Sequence, residues 1–189
     1  MCVTAPAPRP NWDRLFEAAS AQEGYFTTAQ ADEVGYSPQL LAKYLQNGRV
    51  VRARRGIYRL VHFPPGEHEE LIMVWLWSDR NGVFSHLTAL SLHGLSDVMP
   101  ARVHLTLPAG WATRRFRVPA DVVLHFSDVA KPDRAWVGSV PVTSVRRTLL
   151  DVRKASVSPE LVEQATRQAI ARGLIGKKDA ADLKKRAAS

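Results

Sequence analysis

Cysteine occurs once in the 189 residues, as Cys2. That excludes disulfide stapling within a monomer and excludes zinc fingers. No apolar run approaches the ~20 residues of a membrane span. No apolar core follows a basic start either, so residues 1 to 10, with Pro6, Pro8 and Pro10, read as a flexible tail rather than a signal peptide. The expected compartment is therefore cytoplasmic, with no membrane partner. There is no Gly-rich phosphate loop and no convincing nucleophile–base pair. Acid is missing most tellingly from one stretch: no Asp or Glu lies between Glu33 and Glu67, while Lys43, Arg49, Arg52, Arg54, Arg55 and Arg59 all do. A solvated face ordinarily mixes charge signs, and this one does not.

What fills residues 34 to 62 is patterned. Ser37-Pro38 opens a run with Leu40, Leu41, Tyr44 and Leu45 at helical spacing, closed by Asn47-Gly48, which is a capped helix. Two β-prone stretches, Val50 to Arg54 and Ile57 to Val61, are joined through Arg55-Gly56, where glycine supplies the positive φ of a tight hairpin. Upstream, Trp12, Leu15, Phe16 and Ala19 share one helical face. Thr27 or Thr28 caps a short helix ending at Gly35. Helix, helix, turn, helix, hairpin is the order of a winged helix-turn-helix, in which the third helix enters the major groove and the wing approaches phosphates or the minor groove.

The outward side of the third helix carries Gln39, Lys43 and Gln46, side chains able to bond adenine or guanine edges. Arg52 and Arg54 share one side of a strand by period-two alternation, and with Arg55 they are expected on phosphates. The DNA-binding candidates are thus Ser37, Gln39, Lys43, Gln46, Arg49, Arg52, Arg54 and Arg55.

The whole chain carries a net charge of +8, which suits an anionic partner. Residues 1 to 62 hold eight Lys/Arg against five Asp/Glu, residues 63 to 127 five against six, and residues 128 to 189 thirteen against seven. Two basic ends thus flank a neutral middle. In the last segment Lys177, Lys178, Lys184, Lys185 and Arg186 form a candidate DNA or partner surface. Phe63-Pro64-Pro65-Gly66 is the clearest break. The expected division is a tail at 1 to 10, a DNA-binding domain at 11 to 62, a linker at 63 to 67 and a second domain at 68 to 189. In that second domain helices are expected after Glu67, from Ser85 to Gly94, after Thr143-Ser144, from Pro159 to Ala171 and from Asp179 to about Arg186. Strands are expected at Val103 to Leu107, Val122 to Phe126 and Val140 to Val142. The fold class is α+β with few strands.

His86 and His93 lie seven apart on one predicted helix, and His104 and His125 on predicted strands. No close-set Cys, Asp or Glu joins them, so they read as satisfied histidines, with no metal and no cofactor assigned. Asp151, four or five residues after Arg146 and Arg147, reads as a helix-face ion pair rather than a catalytic acid.

Three blocks together resemble the AbiEi family of antitoxins: Gly48 to Tyr58 (GRVVRARRGIY), Ser85 to Leu95 (SHLTALSLHGL) and Val140 to Asp151 (VPVTSVRRTLLD). The resemblance spans roughly residues 12 to 172 in the family's order. It implies an N-terminal winged helix-turn-helix that represses its own operon through promoter DNA. It further implies a mixed α+β antitoxin domain that counters a nucleotidyltransferase-like toxin, and no enzymatic activity. The competing class is an enzyme, a nuclease or transferase acting on nucleic acid or on the toxin, in which the second domain is catalytic and Asp121 or Asp151 takes part.

Overall fold

Helix α1 (Trp12–Ser20) starts where Asn11 accepts the Arg14 N–H on its side chain at 3.0 Å, and it buries Leu15 and Ala19 on one face. Gly24, at φ +86°, then turns the chain; a Cβ there would strike the Phe63 ring. The turn leads into strand β1 (Tyr25–Thr27), too short to announce itself by alternation. Thr27 caps helix α2 (Thr28–Glu33) in a reciprocal box with Gln30, at 3.0 and 3.1 Å. Helix α3 (Pro38–Gln46) is capped by the Ser37 side chain with Pro38 in its first turn, as its sequence predicts. Strands β2 (Val50–Arg54) and β3 (Ile57–Leu60) form the hairpin, and β1 pairs antiparallel with β3 to give a sheet in the order β1-β3-β2. Leu15, Phe26, Tyr36, Leu41, Val50 and Leu60 fill the core between helices and sheet. Each fully buried large side chain there stabilises the fold by ~1.5–3 kcal/mol. This is a winged helix-turn-helix.

The computed structural model describes residues 9–97, 99–155, 157–176 and 179. Its contacts divide the chain into two units, Met1–Arg80 and Asn81–Ser189. The division falls later than the linker expected at 63 to 67, and helix α4 (Glu69–Trp77) goes with the winged helix. The reason is the Glu69 carboxylate. It accepts from the Tyr25 hydroxyl at 3.0 Å, the Arg59 guanidinium at 3.0 Å and the Gly66 N–H at 3.1 Å. Arg59 also donates to the carbonyls of Phe63 and Pro64, at 3.0 and 3.2 Å. The Pro-Pro-Gly segment is thus tied to the sheet instead of linking two domains.

The second unit is built on a five-stranded sheet in the order β6-β5-β4-β8-β7. Its strands are β4 (Val83–Phe84), β5 (Val103–Leu107), β6 (Val122–Phe126), β7 (Arg134–Val137) and β8 (Val140–Thr143). β5 runs parallel to β6 and β4 parallel to β8, while the β4–β5 and β7–β8 pairs are antiparallel. The expected strands are present, and β4 and β7 add to them. Helix α5 (His86–Leu92) follows β4, and α6 (Val145–Lys154) follows β8 after a Ser144 cap. Helix α7 (Pro159–Ala171) is capped by Ser158, as expected. Leu90, Leu95, Leu149, Val152, Val162, Ala165 and Ala169 make the helical core. The helix expected from Asp179 to Arg186 falls almost wholly outside the described residues. The whole is a mixed α+β architecture.

Candidate nucleic-acid interface

Gln39, Ala42, Lys43 and Gln46 are all exposed on α3. Spacings of three and four place them on one helical face. The other side is anchored by buried Leu41 and by Tyr44, whose ring lies 5.7 Å from Trp12 and 5.3 Å from Tyr36. That packing fixes which side chains of α3 face solvent. Ser37 accepts the Leu40 N–H on its hydroxyl oxygen at 3.3 Å, which caps the helix. Arg49 holds its guanidinium 5.3 Å from the Tyr44 ring centre, a cation–π contact that aligns it beside the same helix.

In the hairpin Arg52, Arg54 and Arg55 are exposed, and no carboxylate pairs with any of them among the described residues. The strand register shifts between Arg52 and Arg54, so Arg52 faces Tyr58 while Arg54 faces Ile57. This bulge breaks the strict alternation that put the two arginines on one side of the strand. Both remain exposed because β2 is an edge strand that buries only Val50. Gly56, at φ +77°, closes the turn, and its carbonyl accepts the Thr28 N–H at 3.0 Å, pinning the wing to the start of α2. Arg59 alone of the hairpin arginines is committed internally, to Glu69.

Residues 13–61 match the model of a family described as "Transcriptional regulator, AbiEi antitoxin". The match runs from α1 through the wing and supports an antitoxin or regulator role. A crystal structure of the RV2827C protein from Mycobacterium tuberculosis aligns with 88% of this chain and 75% of its own, at 20% identity and a TM-score of 0.45. No curated protein matches the sequence. Among the described residues no helix is long and apolar enough to cross a membrane.

The second unit brings together three of the histidines that the sequence pattern reads as separately satisfied. His86, His104 and His125 each offer a ring nitrogen, all within 4.8 Å of one another. The parallel register sets His104 beside Val123 and Thr106 beside His125, so both histidines share a face of the sheet. Their rings meet at 3.0 Å, Nδ1 of His104 to Nε2 of His125, and His86 stacks on His125 at 3.6 Å between ring centres. Burial, then the neighbouring His125, His104 and Arg147, push the His86 imidazole down to about 3. Burial likewise lowers His104 and His125, which favours the neutral form of each ring. The only hint in the sequence is that both strand histidines sit in short β-prone runs, and nothing local says that those runs pair. His93 is elsewhere, its Nε2 2.8 Å from the Thr143 carbonyl at the end of α5.

Arg147 and Asp151 form the expected helix-face ion pair at 2.8 Å. Arg147 also donates to the Ser127 hydroxyl at 2.8 Å and lies 3.5 Å from the Asp133 carboxylate, binding α6 to the segment after β6. Burial raises the Asp151 carboxyl above its usual value even with Arg147 beside it. Asp121 is exposed just before β6, and no contact joins it to Asp151 among the described residues. Lys177, Lys178, Lys184, Lys185 and Arg186 lie outside the described residues.

Proposed function

We propose that this protein is the antitoxin of a bacterial toxin–antitoxin module, repressing its own operon by binding promoter DNA and countering a nucleotidyltransferase-like toxin. The observation that carries the reading is the pairing, within the matched residues 13–61, of an outward, acid-free α3 face with an arginine wing that meets no carboxylate among the described residues. In this arrangement Gln39, Lys43 and Gln46 read base edges while Arg49, Arg52, Arg54 and Arg55 hold phosphates. Base edges supply the sequence information, and phosphates supply register and most of the affinity. The basic residues at 177, 178 and 184 to 186 add either phosphate affinity or a surface for an acidic partner.

The test is a two-part cell assay. A reporter driven by the operon's own promoter is measured with the wild-type chain and with Gln39→Ala/Lys43→Ala/Gln46→Ala. Growth is measured on co-expression with the nucleotidyltransferase-like product of an adjacent gene. Repression lost in the variant, with growth restored by the wild type, supports both halves. An unrepressed reporter overturns the first half, and unrelieved growth arrest overturns the second.

A further inference from the structure

We infer that His86, His104 and His125 form a binding site for a divalent transition metal of the zinc class, with a fourth position left open. The three ring nitrogens lie within 4.8 Å of one another, on the first residue of α5 and on the adjacent strands β5 and β6. Two imidazoles on a tetrahedral zinc, each ~2.0–2.1 Å from the ion, stand about 3.3 Å apart. The His104 and His125 nitrogens are already 3.0 Å apart. An ion between them takes the place of the shared proton, which moves to the outer nitrogen of its own ring.

The surroundings fit ligation rather than a simple hydrogen-bonded pair. Thr106 donates to the Ser85 hydroxyl at 2.7 Å, and Ser85 meets Nδ1 of His86 at 2.9 Å. Zinc on Nε2 of His86 places that ring's proton on Nδ1, which the Ser85 hydroxyl oxygen then accepts with its second lone pair. Such an oriented partner is characteristic of metal-bound histidine. Among the described residues, the contacts Ser85–His86 and His104–His125 are the only hydrogen bonds of the three rings. That leaves Nε2 of His86, Nε2 of His104 and Nδ1 of His125 without partners. His86 itself sits at φ +51°, a left-handed conformation that non-glycine residues rarely adopt, and its ring lies over His125. A ligand set of imidazole alone favours zinc, copper or nickel over magnesium or calcium. Three protein ligands leave room for water or an anionic oxygen.

The probe is zinc chloride, and cobalt chloride as its coloured substitute, added to the chelator-treated full chain without any affinity tag. The expected result is one zinc retained per chain on dialysis and a four-coordinate cobalt spectrum. Zinc should also shift the ring resonances of His86, His104 and His125 and leave those of His93 unmoved in long-range proton–nitrogen NMR. Ser85→Ala should weaken zinc binding by ~10–100-fold, as loss of a ligand's hydrogen-bonding partner does. His104→Ala and His125→Ala should weaken it further, and His62→Ala should not change it. Absence of retained zinc, or of ring shifts in the wild type, overturns the site. So does undiminished affinity in folded His104→Ala and His125→Ala. Because the ring shifts are read on the unmutated chain, a variant that fails to fold does not blunt the test.

Discussion

Four arginines within eight positions of the hairpin have two different fates, and one carboxylate decides between them. Arg59 reaches Glu69 at 3.0 Å and two backbone carbonyls, whereas Arg52, Arg54 and Arg55 meet no acid among the described residues. The Gly66 N–H first, then Tyr25 and Arg59, hold the Glu69 carboxyl below its usual range against the cost of its burial. A depressed folded-state pKa means that the stabilisation is complete above the unfolded value of ~4.3 and is lost as pH falls through the folded value. Hydrogen exchange of residues 63 to 69 should therefore accelerate in acid in the wild type. Glu69→Gln should raise exchange at pH 7 by about 1–2 kcal/mol of lost protection and flatten the acid dependence. Unchanged protection in Glu69→Gln would remove the clamp from the account. At this scale the sequence showed that arginine was in excess, but not which arginine was paired, because Glu69 lies beyond the Pro-Pro-Gly break.

The elements that sequence pattern made legible are those with local signals. Ser37-Pro38 and Asn47-Gly48 bracket α3, Ser158-Pro159 opens α7, and Arg55-Gly56 turns the wing. β1, β4 and β7 were missed: these short runs carry little alternation of their own, and each owes its place to a neighbouring strand. The wing shows the same limit, since the bulge between Arg52 and Arg54 is a property of the pair β2–β3. If each wing arginine neutralises about one phosphate, its replacement by Ala should flatten the slope of log affinity against log salt by ~0.9, with sequence preference unchanged. An unchanged slope in Arg52→Ala, Arg54→Ala and Arg55→Ala alike would take the wing out of the interface.

Across the whole molecule, the break in composition at Phe63 to Gly66 and the break in contacts at Arg80 do not coincide. A fragment of residues 1 to 80 keeps Glu69 and α4, and circular dichroism should show it to melt cooperatively and bind DNA. A fragment ending at 65 should melt at a lower temperature, since it leaves Arg59 without its carboxylate; a small domain has little reserve. Equal melting temperatures would restore the earlier boundary. The histidine cluster was out of reach of sequence reading for a related reason. His86, His104 and His125 converge only through the parallel pairing of β5 with β6 and the backbone turn at His86. The central claim, that α3 reads sequence while the wing supplies phosphate contact, is tested most directly by fluorescence anisotropy. The full chain and Gln39→Ala/Lys43→Ala/Gln46→Ala are titrated on the promoter duplex and on a scrambled duplex of equal length. The variant should lose its preference for the promoter and keep scrambled-duplex binding to within the loss of one phosphate contact. A promoter preference as large in the variant as in the wild type would contradict it.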